Sequence, residues 1–347
     1  MDPYEIYPPF VSARIEGIGG VLKHSPDDFA VDEIPAYQPE GEGEHLIVRL
    51  TKRGITTREV QKELAQVYGV SERDVGYAGL KDKHALATQY FSVWLKNQND
   101  PERAYALQER LPVRVHSTGR HRNKMKPGHL RGNTFSVRIS GLSLSPADAA
   151  ARAREIAGVL ERHGVPNIYG PQRFGTDGGN AQQGYELLRG ERTVRKKWLR
   201  RLLLSAYQSY LFNYYVLLRF RRGLYRSVVA GDIAQKYDTG GIFQVENEAA
   251  EQLRLEAGEI CYTGPIFGKK MKPASGAAGE LEEQTLEDNT VSREELCAAK
   301  VSGSRRMGIV IPRIGIEEEE QGICLDFTLP KGAFATVVLR EIMKTSL

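Results

Sequence analysis

The sequence predicts an α+β protein built on a mixed, largely antiparallel sheet. Three observations carry this. Short β-prone runs in the first 140 residues are separated by hairpin-length links as well as by helices, which does not suit a doubly wound parallel sheet. A long helical stretch and small, polar and acidic segments dominate from residue 166 to about 300, and β character then returns. At 347 residues the chain exceeds what one core usually holds, so two domains are expected.

The elements follow in chain order. Residues 45–50, HLIVRL, form a short apolar strand pattern. Thr56 and Glu59 stand at capping-box spacing. Val60, Leu64 and Val67 then share one helical face, and Gly69 ends the helix. Strands are expected at 90–95, 111–115 and 134–139, and a helix over 147–163 that Gly164 and Pro166 terminate. A long helix is expected over 195–222, with Leu199, Leu202, Leu203, Ala206, Tyr210 and Leu217 at helical spacings. Residues 224–265 are mixed and turn-rich; 271–292 read as an exposed loop followed by an acidic helix. Strands at 309–311 and 323–328 and a helix over 334–343 complete the chain.

Composition narrows the class. Hydrophobic content of 41% and charged content of 27% are ordinary for a soluble protein. Residues 202–218 carry no formal charge, but Ser205, Gln208, Ser209, Asn213 and four tyrosines make them a core helix, not a membrane span. Residues 1–14 lack the apolar run of a secretory signal. Cys261, Cys297 and Cys324 lie far apart with no C-x-x-C, which argues against a thiolate zinc site and suits a reducing cytoplasm.

Net charge is only +4, yet the cations are segregated. Residues 110–131 hold seven Lys or Arg and no acid. The core of this stretch, 117–133, is polar and Gly-rich and reads as a loop between strands. Arg120, Arg122, Lys124, Lys126 and Arg131 would there contact an RNA backbone, since phosphate contacts dominate nucleic-acid affinity. A solvated loop with incidental charge would read the same way. A second cluster, Arg192, Arg195, Lys196, Lys197, Arg200 and Arg201, precedes the long helix, with Trp198 expected to pack inward.

Three places carry candidate chemistry. Asp82 stands between Lys81 and Lys83 in GYAGLKDKHALATQYFSV (76–93); nearby cations favour an ionised carboxylate, which can act as nucleophile or base. K-D-K is also a common surface turn. Asn133 and Phe135 of Gly132-Asn133-Thr134-Phe135 could hold and stack a base, or be a turn and a core aromatic. Arg173, in NIYGPQRFG (167–175), could bind phosphate or form a structural ion pair. Familiar cofactor motifs fail: GPIFGKK (264–270) has the wrong spacing for a P-loop, Asp238-Thr239-Gly240 has no second copy, and no H-E-x-x-H exists. Neither a metal nor a nucleotide cofactor is indicated.

These segments together resemble the TruD family of tRNA pseudouridine synthases. The likeness runs through residues 27–33, 41–54, 76–93, GNTF (132–135), GPQRFG (170–175), 199–213, TGPIFG (263–268) and 326–342, nearly the whole chain. It implies a pseudouridine-synthase catalytic domain, 1–154 and 306–347, with a mixed, largely antiparallel sheet. It also implies an inserted α/β TRUD domain over 155–305. The implied activity is isomerisation of uridine to pseudouridine in tRNA, at position 13, by a cytoplasmic enzyme without cofactor, metal, membrane contact or obligate protein partner, acting as a monomer. The resemblance places the essential Asp on Asp82 and the positioning amide and stacking ring on Asn133 and Phe135. It places Phe29 near the site, with Lys81 and Gln89 in support. The carboxylate could attack C1′, opening a glycal route, or C6 of the ring. A non-catalytic RNA-binding or RNA-folding protein on the same scaffold is the alternative, and the joint presence of Asp82, Asn133 and Phe135 weighs against it.

Overall fold

The computed structural model describes residues 5–22, 25–96, 100–175 and 177–345. The first four residues of the segment read as free of a secretory signal lie outside these. In the first part of the chain the strands are β1 (Val21–Leu22), β2 (Phe29–Pro35), β3 (His45–Lys52), β4 (Val75–Tyr77), β5 (Leu86–Trp94), β6 (Val113–His121) and β7 (Leu130–Ser140). Helix α1 (Thr57–Tyr68) joins β3 to β4, and α2 (Pro146–His163) follows β7.

Then come β8 (Val165–Pro166), α3 (Asn180–Leu188), α4 (Lys197–Arg221), β9 (Ile233–Lys236), β10 (Ile242–Gln244), α5 (Glu248–Glu256), β11 (Ile260–Ile266), α6 (Gly276–Asp288), α7 (Arg293–Ala298), β12 (Ser304–Met307) and β13 (Ile309–Val310). The chain closes with β14 (Ile314–Glu319), β15 (Gly322–Pro330) and α8 (Ala335–Met343).

The main sheet runs β14-β15-β7-β2-β5-β3-β6, with β1 on β7 and β4 on β5. Only β2 and β5 pair in parallel among its described strands. The crossover between them contains β3, α1 and β4, as a parallel pair requires. Alternation along β3 sends Leu46, Val48 and Leu50 to the face that α1 covers with Val60, Leu64 and Val67. The α1 cap is as the sequence reads it: Thr56 and Glu59 bond reciprocally, and Gly69 ends the helix in the left-handed conformation. Toward the other edge, Val137, Ile139, Leu325 and Phe327 pack with α2 and α8. The fold is thus α+β on a mixed, largely antiparallel sheet.

The chain between α2 and β14 makes a smaller antiparallel sheet, β10-β9-β11-β12, with α4 packed on β11, α3 and α6. The expected boundaries, 154/155 and 305/306, fall inside α2 and β12. The buried face of α2 belongs to the main core. Beyond it, β8 pairs antiparallel with β13, Val165 opposite Val310. At this ribbon the chain leaving the main-sheet body for the insert and the chain returning from it lie side by side.

Two local expectations are corrected. Residues 117–133 are not one loop: β6 continues to His121 and β7 begins at Leu130, so only 122–129 connects them. Polar content misleads here because β6 is an edge strand, whose outward side chains meet water. Trp198 does not pack inward. It is 64% exposed on the first turn of α4, before the buried stretch that begins at Leu203.

The segment 202–218 lies within α4, which is buried over most of its length. No helix among the described residues is long and apolar enough to cross a membrane.

Candidate active site

Asp82 sits in the link between β4 and β5. Gly76 lets β4, which leads into this link, run close to the β6–β7 connection, since a Cβ there would lie 2.1 Å from Met125 O. The turn is held from three sides. Lys52 Nζ donates to Asp82 O at 2.6 Å and to Ile55 O at 2.8 Å. The His84 N–H donates to Asp82 Oδ1 at 3.0 Å. Thr57 Oγ1 accepts the Lys81 N–H at 3.0 Å and donates to Gln89 Oε1 at 3.0 Å.

Lys81 reaches to β2 and β7. Its ammonium pairs with Glu33 at 3.0 Å and donates to Asn133 Oδ1. Glu33 and Asn133 are register partners on β2 and β7, so one cation bridges both strands. The Glu33 side chain is fully buried. Burial pushes its carboxyl above the usual range, against the pull of the Lys81 charge. Asn133 is thereby oriented by a buried ion pair.

A cleft of about 960 Å³ brings these groups together. Asp82, Lys81, Asn133, Phe135 and Phe29 all line it, facing Pro171–Gln172 of the insert and 332–336 before and at the start of α8. Phe135 stacks on Phe327 at 5.3 Å between ring centroids and meets the edge of Phe29 at 6.1 Å. One carboxylate therefore shares a cleft with an aromatic corner and an oriented amide. Such a set can hold a planar heterocycle while a nucleophile reaches its sugar or ring.

The remaining sequence-predicted residues lie elsewhere. Gln89 is fully buried and does not line the cleft; it acts on the Asp82 turn through Thr57. Its strand alternates, and its position faces the α1 side rather than the open one. Arg173 also lies outside the cleft lining, bonded to hydroxyls of α4 rather than to an acid. Arg122 pairs with Glu42, and Lys124 donates to Arg73 O, so these two are partly engaged. Lys126 and Arg131 are exposed. A β-bulge at Arg131 breaks the alternation of β7, so Leu130 and not Arg131 lines the cleft with Asn133 and Phe135.

Two contributors escape the sequence reading: Glu33 and Lys52. Lys52 falls in the buried phase of β3, after Leu46, Val48 and Leu50, and Glu33 falls in phase with Phe29 and Val31. A charge in an apolar phase was the available signal. Among the described residues no three His, Cys, Asp or Glu cluster as a metal ion would require.

Burial lowers the Lys52 ammonium to about 8, against an opposing pull from Asp82. Below that pH the buried cation stands beside Asp82; above it the charge is lost. Turnover is expected to fall as pH rises through about 8, and Lys52→Gln to lose that limb. Stability moves the other way. The folded pKa lies below the ordinary lysine value of 10.5, so the burial cost is complete below pH 8 and is relieved as pH rises toward 10.5. Rate profiles with melting curves at each pH separate the two.

Gly132 gives a structural prediction. A Cβ there would lie 2.3 Å from Leu329 O on the paired strand. Gly132→Ala must push β7 from β15 and is expected to cost about 1–3 kcal/mol, measured by urea denaturation.

Comparison with known proteins agrees with this architecture. The family model "tRNA pseudouridine synthase D (TruD)" matches residues 10–194 and 182–342. A tRNA pseudouridine synthase D of Anaeromyxobacter dehalogenans is 44% identical over 344 residues, covering 97% of this chain and 96% of its own length. The Thermus thermophilus protein of the same name is 44% identical over 340 residues, covering 97% and 92%. The crystal structure of a putative tRNA pseudouridine synthase D from Methanosarcina mazei superposes with a TM-score of 0.77 at 25% identity, covering 99% of this chain and 98% of that one. Fold and relatives together make this chain a pseudouridine synthase, an isomerase. More narrowly, it belongs to the TruD family of tRNA pseudouridine synthases.

Proposed function

We propose that the chain converts uridine 13 of tRNA to pseudouridine, with Asp82 as the nucleophile, as a cytoplasmic monomer. The observation that carries this is the meeting of Asp82, Asn133, Phe135 and Phe29 in one cleft. A stacked uracil must be extruded before it can be turned over, at a cost of a few kcal/mol. Stacking on an aromatic ring returns about 1–3 kcal/mol. The Phe29–Phe135 corner supplies that surface, and Asn133, fixed by Lys81, aligns the bound nucleoside with Asp82.

In the reaction the N1–C1′ bond breaks, the base turns, C5–C1′ forms, N1 gains a proton and the C5 hydrogen leaves to water. The exchange is redox-neutral. The position in tRNA follows from the family resemblance.

The test is an unmodified tRNA transcript carrying C5-tritiated uridine. Tritium release with a carbodiimide stop mapped to position 13 supports the proposal. Release mapped elsewhere keeps the isomerase and rejects the position; binding without release favours the RNA-binding alternative.

A further inference from the structure

Arg306 lies on β12 where the insert borders the cleft. Its Nε donates to Asn167 O at 2.9 Å and its Nη2 to Asn167 Oδ1 at 2.8 Å. The guanidinium carbon lies 4.1 Å from the Tyr169 ring centroid and 5.6 Å from that of Phe334. Arg173 lies over the same Tyr169 ring at 5.4 Å and donates to Ser209 Oγ at 2.9 Å and to Ser205. Among the described residues no carboxylate pairs with either arginine. Two guanidiniums on one tyrosine without a counter-ion are costly unless an anion completes them. Burial, with a smaller push from the Arg173 charge, holds Arg306 below the usual arginine range against the opposing pull of Tyr169.

The orientation is specific. Nε and Nη2 are tied to Asn167 and the guanidinium also meets the Tyr169 side chain, which leaves Nη1 as the edge turned from Asn167. It lies 3.5 Å from where a Cβ on Gly332 would stand. Gly332 and Phe334 line the cleft. Nη1 of Arg306 therefore lies beside Gly332, a residue of the cleft lining.

We propose that Arg306 binds a phosphodiester of the RNA strand entering the cleft, the one flanking the extruded uridine, with Arg173 reinforcing the positive charge behind it. This rests on the pseudouridine-synthase reading of the cleft. An extruded nucleotide brings its flanking phosphates out of bulk water. A guanidinium already aimed, and holding no acid of its own, meets that charge without first breaking an ion pair.

The test uses the full chain with its tRNA and with short RNAs carrying one neutral methylphosphonate linkage 5′ or 3′ to the target uridine. Arg306→Gln is expected to lower kcat/KM about 10- to 100-fold, the worth of charge-assisted hydrogen bonds. It should also reduce the slope of log affinity against log salt by about 0.7–1. One neutral linkage should cost the unaltered protein about tenfold, and cost Arg306→Gln nothing further. Arg306→Lys should keep the salt slope and lose part of the rate. An unaltered salt slope in Arg306→Gln, or indifference of the unaltered protein to both neutral linkages, overturns the assignment. Should Arg306→Gln fail to fold, the linkage comparison on the unaltered protein decides. Absence of tritium release from the unaltered protein rejects the underlying reading instead.

Discussion

Asp82→Asn is expected to abolish pseudouridine formation, by about 10³-fold or more, the scale on which removal of a nucleophile acts. The substitution leaves the turn intact. Asp82 Oδ1 accepts the His84 N–H, and an asparagine oxygen accepts it equally. Lys52 holds Asp82 through the backbone oxygen, which the substitution leaves in place. Stability and tRNA affinity should therefore stay close to those of the unaltered protein. Single-turnover tritium release with filter binding and a melting curve reads all three. Retained turnover would remove Asp82 from the mechanism; lost binding would make its role structural.

The second large effect is expected from Lys81→Met. Lys81 is 7% exposed in its side chain and Glu33 is 0% exposed. Removing one partner leaves a buried charge uncompensated, at about 3–5 kcal/mol. Urea denaturation should show that loss. Turnover should fall as well, because Asn133 loses the donor that orients it. Adding Glu33→Gln removes the stranded carboxylate and should restore much of the stability but little of the turnover. Rates that recover in parallel with stability would show that Lys81 acts only as scaffold.

Much of this fold was legible because its signals are local. The α1 capping box, the Gly69 stop and the alternation of β3 need no long-range information. Asp82, Asn133 and Phe135 were legible through their motifs, and the fold sets them in one cleft although 51 residues separate Asp82 from Asn133. What failed was long-range. The outward Trp198 depends on where packing on α4 begins. The strand character of 117–121 depends on β6 being an edge. The burial of Gln89 depends on which face α1 covers. Lys52 and Glu33 sit between the two cases: their phase was readable, but the bonds that make them useful reach 30 residues or more, to Asp82 from Lys52 and to Lys81 from Glu33.

The β8–β13 ribbon has a consequence for how this protein can change. Its two strands close a long excursion at a single doorway, so trimming or extending the excursion costs little chain entropy and leaves the main sheet's register alone. Natural variation in length is thus free to accumulate there. One limit remains, because Pro171 and Gln172 furnish a side of the reaction chamber. Excising the whole excursion would strip Phe212, Tyr215 and Tyr262 from the core they share with the main sheet, and would leave the chemistry open to bulk water.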